Sequence, residues 1–238
     1  TVVEMKVGIS YVSIENAREN LEKETATKSF DQILAEARED WNGYLSKIEV
    51  EGGSEDDKVK FYTALYHTLI HPSTLNDFNG DYPKMGTREV LKTKDTRYTV
   101  FSLWDTYRNL HQLMSLVYPK QQSDMVKSML QIYDESGWLP KWELNATETT
   151  TMVGDPAGIV IADTYLKGIR DFEVEKAYSA MVKSADQIEA NPLRPGLKDY
   201  LEKGYLTTKT TNSGSVSTTQ EYNISDYAIA QLAKALGK

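Results

Sequence analysis

The stretch Ser29-Phe30-Asp31-Gln32-Ile33-Leu34-Ala35-Glu36-Ala37-Arg38-Glu39-Asp40-Trp41-Asn42-Gly43-Tyr44-Leu45-Ser46-Lys47-Ile48 decides the fold class. Ser29 followed three residues later by Gln32 is a capping box, which satisfies two of the amides a helix start leaves unbonded. Ile33, Leu34, Ala37, Trp41, Tyr44, Leu45 and Ile48 then recur at steps of three and four, the spacing of one apolar helical face. Glu51-Gly52-Gly53 closes that unit. Ser54 caps a third helix whose inward face reads Val59, Tyr62, Leu65, Tyr66 and Leu69, and Pro72 stops it. Upstream, Ser13 caps a short polar helix reaching about Glu24. Residues 3–11 alternate instead, with Val3, Met5, Val7, Ile9 and Tyr11 on one side, which predicts a strand with one buried face. Such a strand needs a partner, and that partner lies elsewhere in the chain or upstream of Thr1.

Residues 72–100 carry few helical signals, and a loop of this length inside a compact domain is often functional. Within it, Asp77-Phe78-Asn79-Gly80-Asp81 has a glycine at the wrong offset for a calcium loop and no closing Glu, so it reads as a turn. Helices resume from Ser102 to Val117 and from about Gln122 to Glu135. Asp155-Pro156 starts another, with Asp as cap, running to about Gly168. A further helix covers about Glu173 to Ile188, and Asn191, Pro192, Pro195 and Gly196 break the pattern after it. The Thr- and Ser-rich segment 205–219 reads as an extended loop, and the last helix runs from near Ser225 to Gly237. The expectation is an all-α architecture: antiparallel helix pairs forming an incomplete (α/α)6 toroid, with a short N-terminal β segment. About eight helices are about two-thirds of what six pairs require.

Composition excludes several classes. The formal charge is −8 and no basic run exceeds two residues, so the clustered Lys and Arg that bind nucleic acid phosphates are missing. No apolar stretch approaches the ~20 residues of a membrane span. The 238 residues contain no cysteine, which removes disulfides, thiolate metal sites and a Cys nucleophile. The chain opens at Thr1 and reads as a trimmed or mature piece, so its lack of a signal peptide excludes nothing.

Several stretches carry groups capable of chemistry. In Phe101-Ser102-Leu103-Trp104-Asp105-Thr106-Tyr107-Arg108, Trp104 offers a flat face for a pyranose ring. Asp105 and Arg108, one turn apart, suit charge-assisted hydrogen bonds to hydroxyls. The same pair is equally readable as a helix-start carboxylate bonded to its own Arg. Ser136 to Leu144 holds Trp138 and Trp142 around Pro140. Glu148 and Asp155 bracket a run of hydroxyl residues before a helix N-terminus, which attracts carboxylates on electrostatic grounds alone. Glu221 and Asp226 are further acidic candidates, individually weak. His67 and His71 stand at i, i+4, but the Glu of a zinc-protease motif is absent between them. No Gly-rich phosphate loop and no nucleophile elbow occurs.

These stretches, in this order, resemble glycoside hydrolase family 92, the bacterial exo-acting α-mannosidases. The matching segments include Val7 to Ser13, Phe61 to His67, Phe101 to Arg108, Gly137 to Leu144, Glu148-Thr149 through Gly154, Val160 to Asp163, Lys167 to Ile169 and Leu232 to Lys238. The resemblance implies an N-terminal β-sandwich followed by an (α/α)6 toroid. Residues 1–12 would then be the terminal strand or linker of the sandwich, and 13–238 the first part of the catalytic toroid. It implies calcium-assisted removal of terminal α-linked mannose, of α-1,2 linkage, with inversion, and a periplasmic or cell-surface location. Trp104, Asp105, Arg108, Trp142 and Glu148 become the expected substrate contacts. The partner is a mannose-containing glycan, with no nucleic acid and no membrane span, and helix faces exposed by truncation could pair two copies. The Gly-Asn-Asp/Glu-Asp and Glu-Gly-Asn stretches that accompany the two catalytic carboxylates in the family are absent. No catalytic residue is therefore assigned, no calcium ligand is placed, and this piece alone is expected to be inactive. Many members read Gly-Tyr-His after the Met; here Met152-Val153-Gly154-Asp155-Pro156 departs from that, which bears on specificity. The rival expectations are a non-catalytic helical glycan- or protein-binding module, or a toroid enzyme of another carbohydrate class, such as a polysaccharide lyase.

Overall fold

A computed structural model describes residues 3–211 and 214–238. The helices are α1 (Ile14–Thr25), α2 (Phe30–Leu45), α3 (Glu55–His67), α4 (Leu103–Thr106), α5 (Leu110–Val117), α6 (Pro119–Ser136), α7 (Ala157–Leu166), α8 (Val174–Asp186), α9 (Leu197–Lys203) and α10 (Ser215–Leu236). The strands are β1 (Ser73–Thr74), β2 (Asp81–Pro83), β3 (Val90–Lys92), β4 (Tyr98–Thr99), β5 (Phe101–Ser102), β6 (Trp142–Leu144) and β7 (Thr147–Glu148). They form three small antiparallel sheets, β1 with β4, β2 with β3, and β5-β6-β7. The fold is helix-rich rather than purely α.

Where capping is local, the chain follows its sequence. Ser13 accepts from Asn16 N–H, and Ser29 with Gln32 and Ser54 with Asp57 both form complete capping boxes. The core lies further along. α7 sits at its centre, packed against α10, α5, α6 and α8, and Val160 and Ile161 are fully buried with Val126, Met129 and Leu232. Each such side chain contributes about 1.5–3 kcal/mol relative to an exposed position. A satellite cluster joins Leu197 and Tyr200 of α9 to Leu206 and to Tyr222 of α10.

Five expectations are corrected. Residues 3–11 form no strand; Val3, Met5, Val7 and Ile9 are exposed. The alternation is real, but its polar side is what is held: Lys6 Nζ donates to the carbonyls of Thr25 and Lys28, and Asn20 Nδ2 to that of Ile9. No strand among the described residues pairs with it. The apolar faces of α2 and α3 are largely uncovered, with Leu65 the one buried residue of the two helices; they lean on each other through Trp41 and Tyr66, whose rings lie 4.5 Å apart. Residues 102–117 are two helices, because the turn at Tyr107–Asn109 redirects the chain. Asp155 makes no cap hydrogen bond to α7; it turns instead to Arg194. Finally, α10 begins at Ser215, inside the segment read as loop. Thr219 donates back to the Ser215 carbonyl and accepts from Leu206 N–H, so its hydroxyl is satisfied within a helix. The segment Leu197–Lys203, for which the sequence carries no expected element, forms α9. The portion of the loop reading at Asn212 and Ser213 lies outside the described residues.

Candidate functional site

α4 and the turn after it present Trp104, Asp105, Tyr107 and Arg108, and α10 brings Glu221 to meet them. The carboxylate of Glu221 accepts from Trp104 Nε1 at 3.2 Å, from Arg108 Nη2 at 2.9 Å and from Tyr107 Oη at 2.8 Å. The Arg108 guanidinium lies over the Trp104 ring at 4.5 Å and the Tyr107 ring at 4.8 Å. Burial, reinforced by Glu221, pushes the Tyr107 phenol up to about 12, so it stays protonated and donates. Gly154 admits this approach. A Cβ at that position would sit 2.8 Å from Glu221 Cβ, and its φ of +79° is one that favours glycine. Beside Glu221, a hollow of about 340 Å³ is lined by Lys141, Met152, Gly154, Thr218 and Tyr222 among others.

The sequence-expected residues divide into two groups. Trp104 and Arg108 share Glu221, so Arg108 is bonded across the fold rather than to Asp105. Asp105 is exposed and makes no salt bridge among the described residues. Trp142 and Glu148 lie on the β6-β7 hairpin, which joins α4 through the pairing of Ser102 with Trp142. Glu148 accepts from three backbone amides, those of Lys141 (2.8 Å), Trp142 (3.0 Å) and Thr150 (2.7 Å), and so holds the hairpin in shape. The backbone around this surface is strained: Val100, Thr150 and Met152 have positive φ without being glycine. Such residues cost about 1–3 kcal/mol each and gather at functional sites. Tyr107 was quoted in the sequence without a role, and no local signal links Glu221 to it across 114 positions.

Behind α4 runs a buried relay. His111 Nδ1 meets Gln122 Oε1 at 3.0 Å, Gln122 Nε2 donates to Thr164 Oγ1, and that hydroxyl donates to the Val160 carbonyl. The chain of donors leaves His111 Nδ1 as the protonated nitrogen and Nε2 facing Thr106 Oγ1 at 3.1 Å. Burial holds His111 down to about 4, from an ordinary 6.5. The folded state therefore binds its proton more weakly than the unfolded state. The stability contributed by the neutral ring is complete above pH ~6.5 and is lost as pH falls toward ~4. Unfolding midpoints measured across that window should fall in the wild type and fall less steeply in His111→Asn.

Among the described residues no group of three or more His, Asp or Glu side chains is placed to hold a metal ion. His71 lies beyond the end of α3 at His67, so the His67/His71 pair does not share a helical face.

Residues 16–238 match the glycosyl hydrolase family 92 catalytic domain. An uncharacterized secreted glycosidase of Arthroderma benhamiae is 28% identical over 256 residues, covering 100% of this chain and 28% of that protein. A family 92 α-mannosidase of Bacteroides thetaiotaomicron, solved with mannoimidazole, is 38% identical with a TM-score of 0.89, covering 96% of this chain and 30% of its own. A family 92 inverting mannosidase of the same species is 32% identical with a TM-score of 0.88, covering 96% of this chain and 32% of its own. The chain thus spans about a third or less of the length of these relatives. It belongs to the glycosyl hydrolase family 92 catalytic-domain family.

Proposed function

We propose that these residues are the first part of the helical catalytic domain of an exported, exo-acting α-mannosidase, and that they hold the sugar rather than cleave the bond. The observation that carries this is the Trp104-Asp105-Arg108 surface pinned by Glu221, on a chain similar to mannosidases over 96% of its length. Trp104 supplies a flat apolar face for the C–H side of a mannose ring. Asp105, exposed at the start of α4, accepts from sugar hydroxyls, and the exposed side of Arg108 donates to them. Trp142 and Glu148 support this surface from the hairpin, Trp142 as a further apolar face and Glu148 through the loop it shapes.

A specific observation supports a holding role. Glu143, Glu148, Asp155 and Glu221 are all engaged by internal donors. Inverting hydrolysis requires one carboxylic acid to protonate the leaving oxygen and one carboxylate to activate water, ~6.5–9.5 Å apart. We place both in the part of the parent protein that these 238 residues do not include, together with the helices completing an (α/α)6 toroid. Residues 1–12 are proposed to join a β-sandwich to residues 13–238. A calcium ion bound in the parent would polarise and orient the reacting sugar and water. Among the described residues no group of three or more His, Asp or Glu side chains stands ready to hold it. The similarity to a secreted glycosidase supports export, to the periplasm or cell surface, and no helix of the described chain is long and apolar enough to cross a membrane. An α-1,2-mannosidic glycan is the proposed substrate, and two copies could pair through the uncovered faces of α2 and α3 when the chain is expressed alone.

The test is hydrolysis of α-1,2-mannobiose by the parent protein, with and without a calcium chelator. Release of mannose as the β-anomer, abolished by chelator and restored by calcium, is the expected result. Undiminished activity after calcium removal would contradict the calcium-assisted reading, and no hydrolysis of any α-mannoside would sink the activity itself.

A further inference from the structure

Val100, on the backbone that leads into α4, and Asn145 and Ala146, the turn of the β6-β7 hairpin, all adopt positive φ and converge on one side chain. Val100, Asn145 and Ala146 have φ of 66°, 47° and 62°. The left-handed region brings Cβ close to the following carbonyl, and a branched Cβ makes it worst for Val100. All three amides lead to Glu143. Val100 N–H donates to Oε2 at 3.1 Å and Ala146 N–H to Oε1 at 2.6 Å. Asn145 N–H donates to Thr99 Oγ1 at 2.8 Å, and that hydroxyl donates to the Glu143 carboxylate at 2.8 and 3.0 Å. Glu143 is fully buried, and no cation lies within salt-bridge distance of it among the described residues. An isolated buried carboxylate is costly unless hydrogen bonds replace its water; here two amides and one hydroxyl do so. Strained conformations persist only where the surroundings over-determine them, and this carboxylate is what determines them.

Val100 is followed directly by β5 and then by Trp104 and Asp105. Phe101, in β5, pairs with Glu143 itself. The direction in which the chain enters α4 is therefore set at Val100. We infer that Glu143 is a positioning residue for the sugar-holding surface: it keeps Val100 in its left-handed turn and so aims Trp104 and Asp105, without touching the substrate. This rests on the reading of Trp104, Asp105 and Arg108 as the mannose-holding surface.

The test is a cycle in the intact parent protein of Glu143→Gln, Val100→Gly and the double variant. Each is measured for kcat/KM on an aryl α-mannoside and for thermal midpoint. Gln replaces one acceptor oxygen with an amide donor, so at least one of the three donors loses its partner. Glycine takes the same φ without strain. Misaiming a substrate-positioning group by ~1 Å costs ~10²-fold, which is the loss expected for Glu143→Gln. Val100→Gly alone should stay close to wild type, and the double variant should recover most of the lost activity. A double variant as impaired as Glu143→Gln would overturn the inference, as would wild-type activity in Glu143→Gln. Recovery of the thermal midpoint without recovery of activity would also overturn it, since the carboxylate would then serve the fold alone. An inactive wild type would instead sink the mannoside reading and the positioning role with it, an outcome distinct from an active wild type whose cycle shows no coupling.

Discussion

Replacing Arg194 with methionine is expected to lower the stability of the fold by about 3–5 kcal/mol, the cost of stranding one member of a buried ion pair. Arg194 is 1% exposed and Asp155 6%. Its Nε donates to Asp155 Oδ2 at 3.0 Å and its Nη1 to Asp226 Oδ1 at 2.7 Å, while the guanidinium lies 5.0 Å from the Tyr222 ring centre. Tyr200 completes the group by donating to Asp226 and Asn223. One arginine thereby ties the start of α7, the loop after α8 and the middle of α10 together. Burial pushes the Asp155 carboxyl up, and Arg194 pulls it back down. Without Arg194, only the smaller effect of the Ser225 hydrogen bond opposes that push. The cost arises from the ionised carboxylate, so it is largest above the raised folded pKa and shrinks as pH falls through it. Urea unfolding of wild type, Arg194→Met and the double variant Arg194→Met/Asp155→Leu would read this out. The double variant should recover part of the loss, because an apolar pair of similar volume often substitutes for a buried ion pair. A single variant within about 0.5 kcal/mol of wild type, the range of an ordinary surface substitution, would show that the network does not hold the fold.

This network also shows where sequence reading stops. Ser13, Ser29 with Gln32, and Ser54 were legible as helix starts, because a cap and its amide lie within one turn. Gly137 likewise ends α6, in the left-handed conformation, whereas the helix starts at Pro119 rather than at about Gln122 as the sequence suggests. Asp155 before Pro156 gave the same local signal, but the carboxylate was taken by Arg194, 39 residues on. The start of α10 was hidden for the opposite reason. Ser215 to Thr219 have weak helical preference, and the helix there is secured by Thr219 against Leu206 and by Glu221 against Tyr107 and Arg108. Residues 3–11 carry a strand pattern without a partner strand, and periodicity cannot report whether a partner exists. At the candidate site, Trp104, Asp105 and Arg108 stood out as a motif on one short segment. Glu221, which pins two of them, stood out only as an isolated acid. The strain at Val100 left no mark in the sequence at all, since valine before a strand is ordinary.

The largest effect expected is the loss of catalysis in the 238-residue chain itself. A general acid and a general base each contribute ~10²–10⁴-fold, and the carboxylates buried around the site here are engaged in holding the hairpin, the strained turn, the Arg194 network and the Trp104 surface. Asp105 is exposed, but a lone carboxylate cannot both protonate a leaving group and activate a water on the opposite face of the sugar. The direct measurement is turnover of an aryl α-mannoside by this chain and by the parent protein, side by side at equal concentration with calcium present. The parent should release the aryl alcohol steadily while the 238-residue chain stays at the buffer rate. Comparable rates from the two would contradict the account, and would place the acid and base among Glu143, Glu148, Asp155 and Glu221.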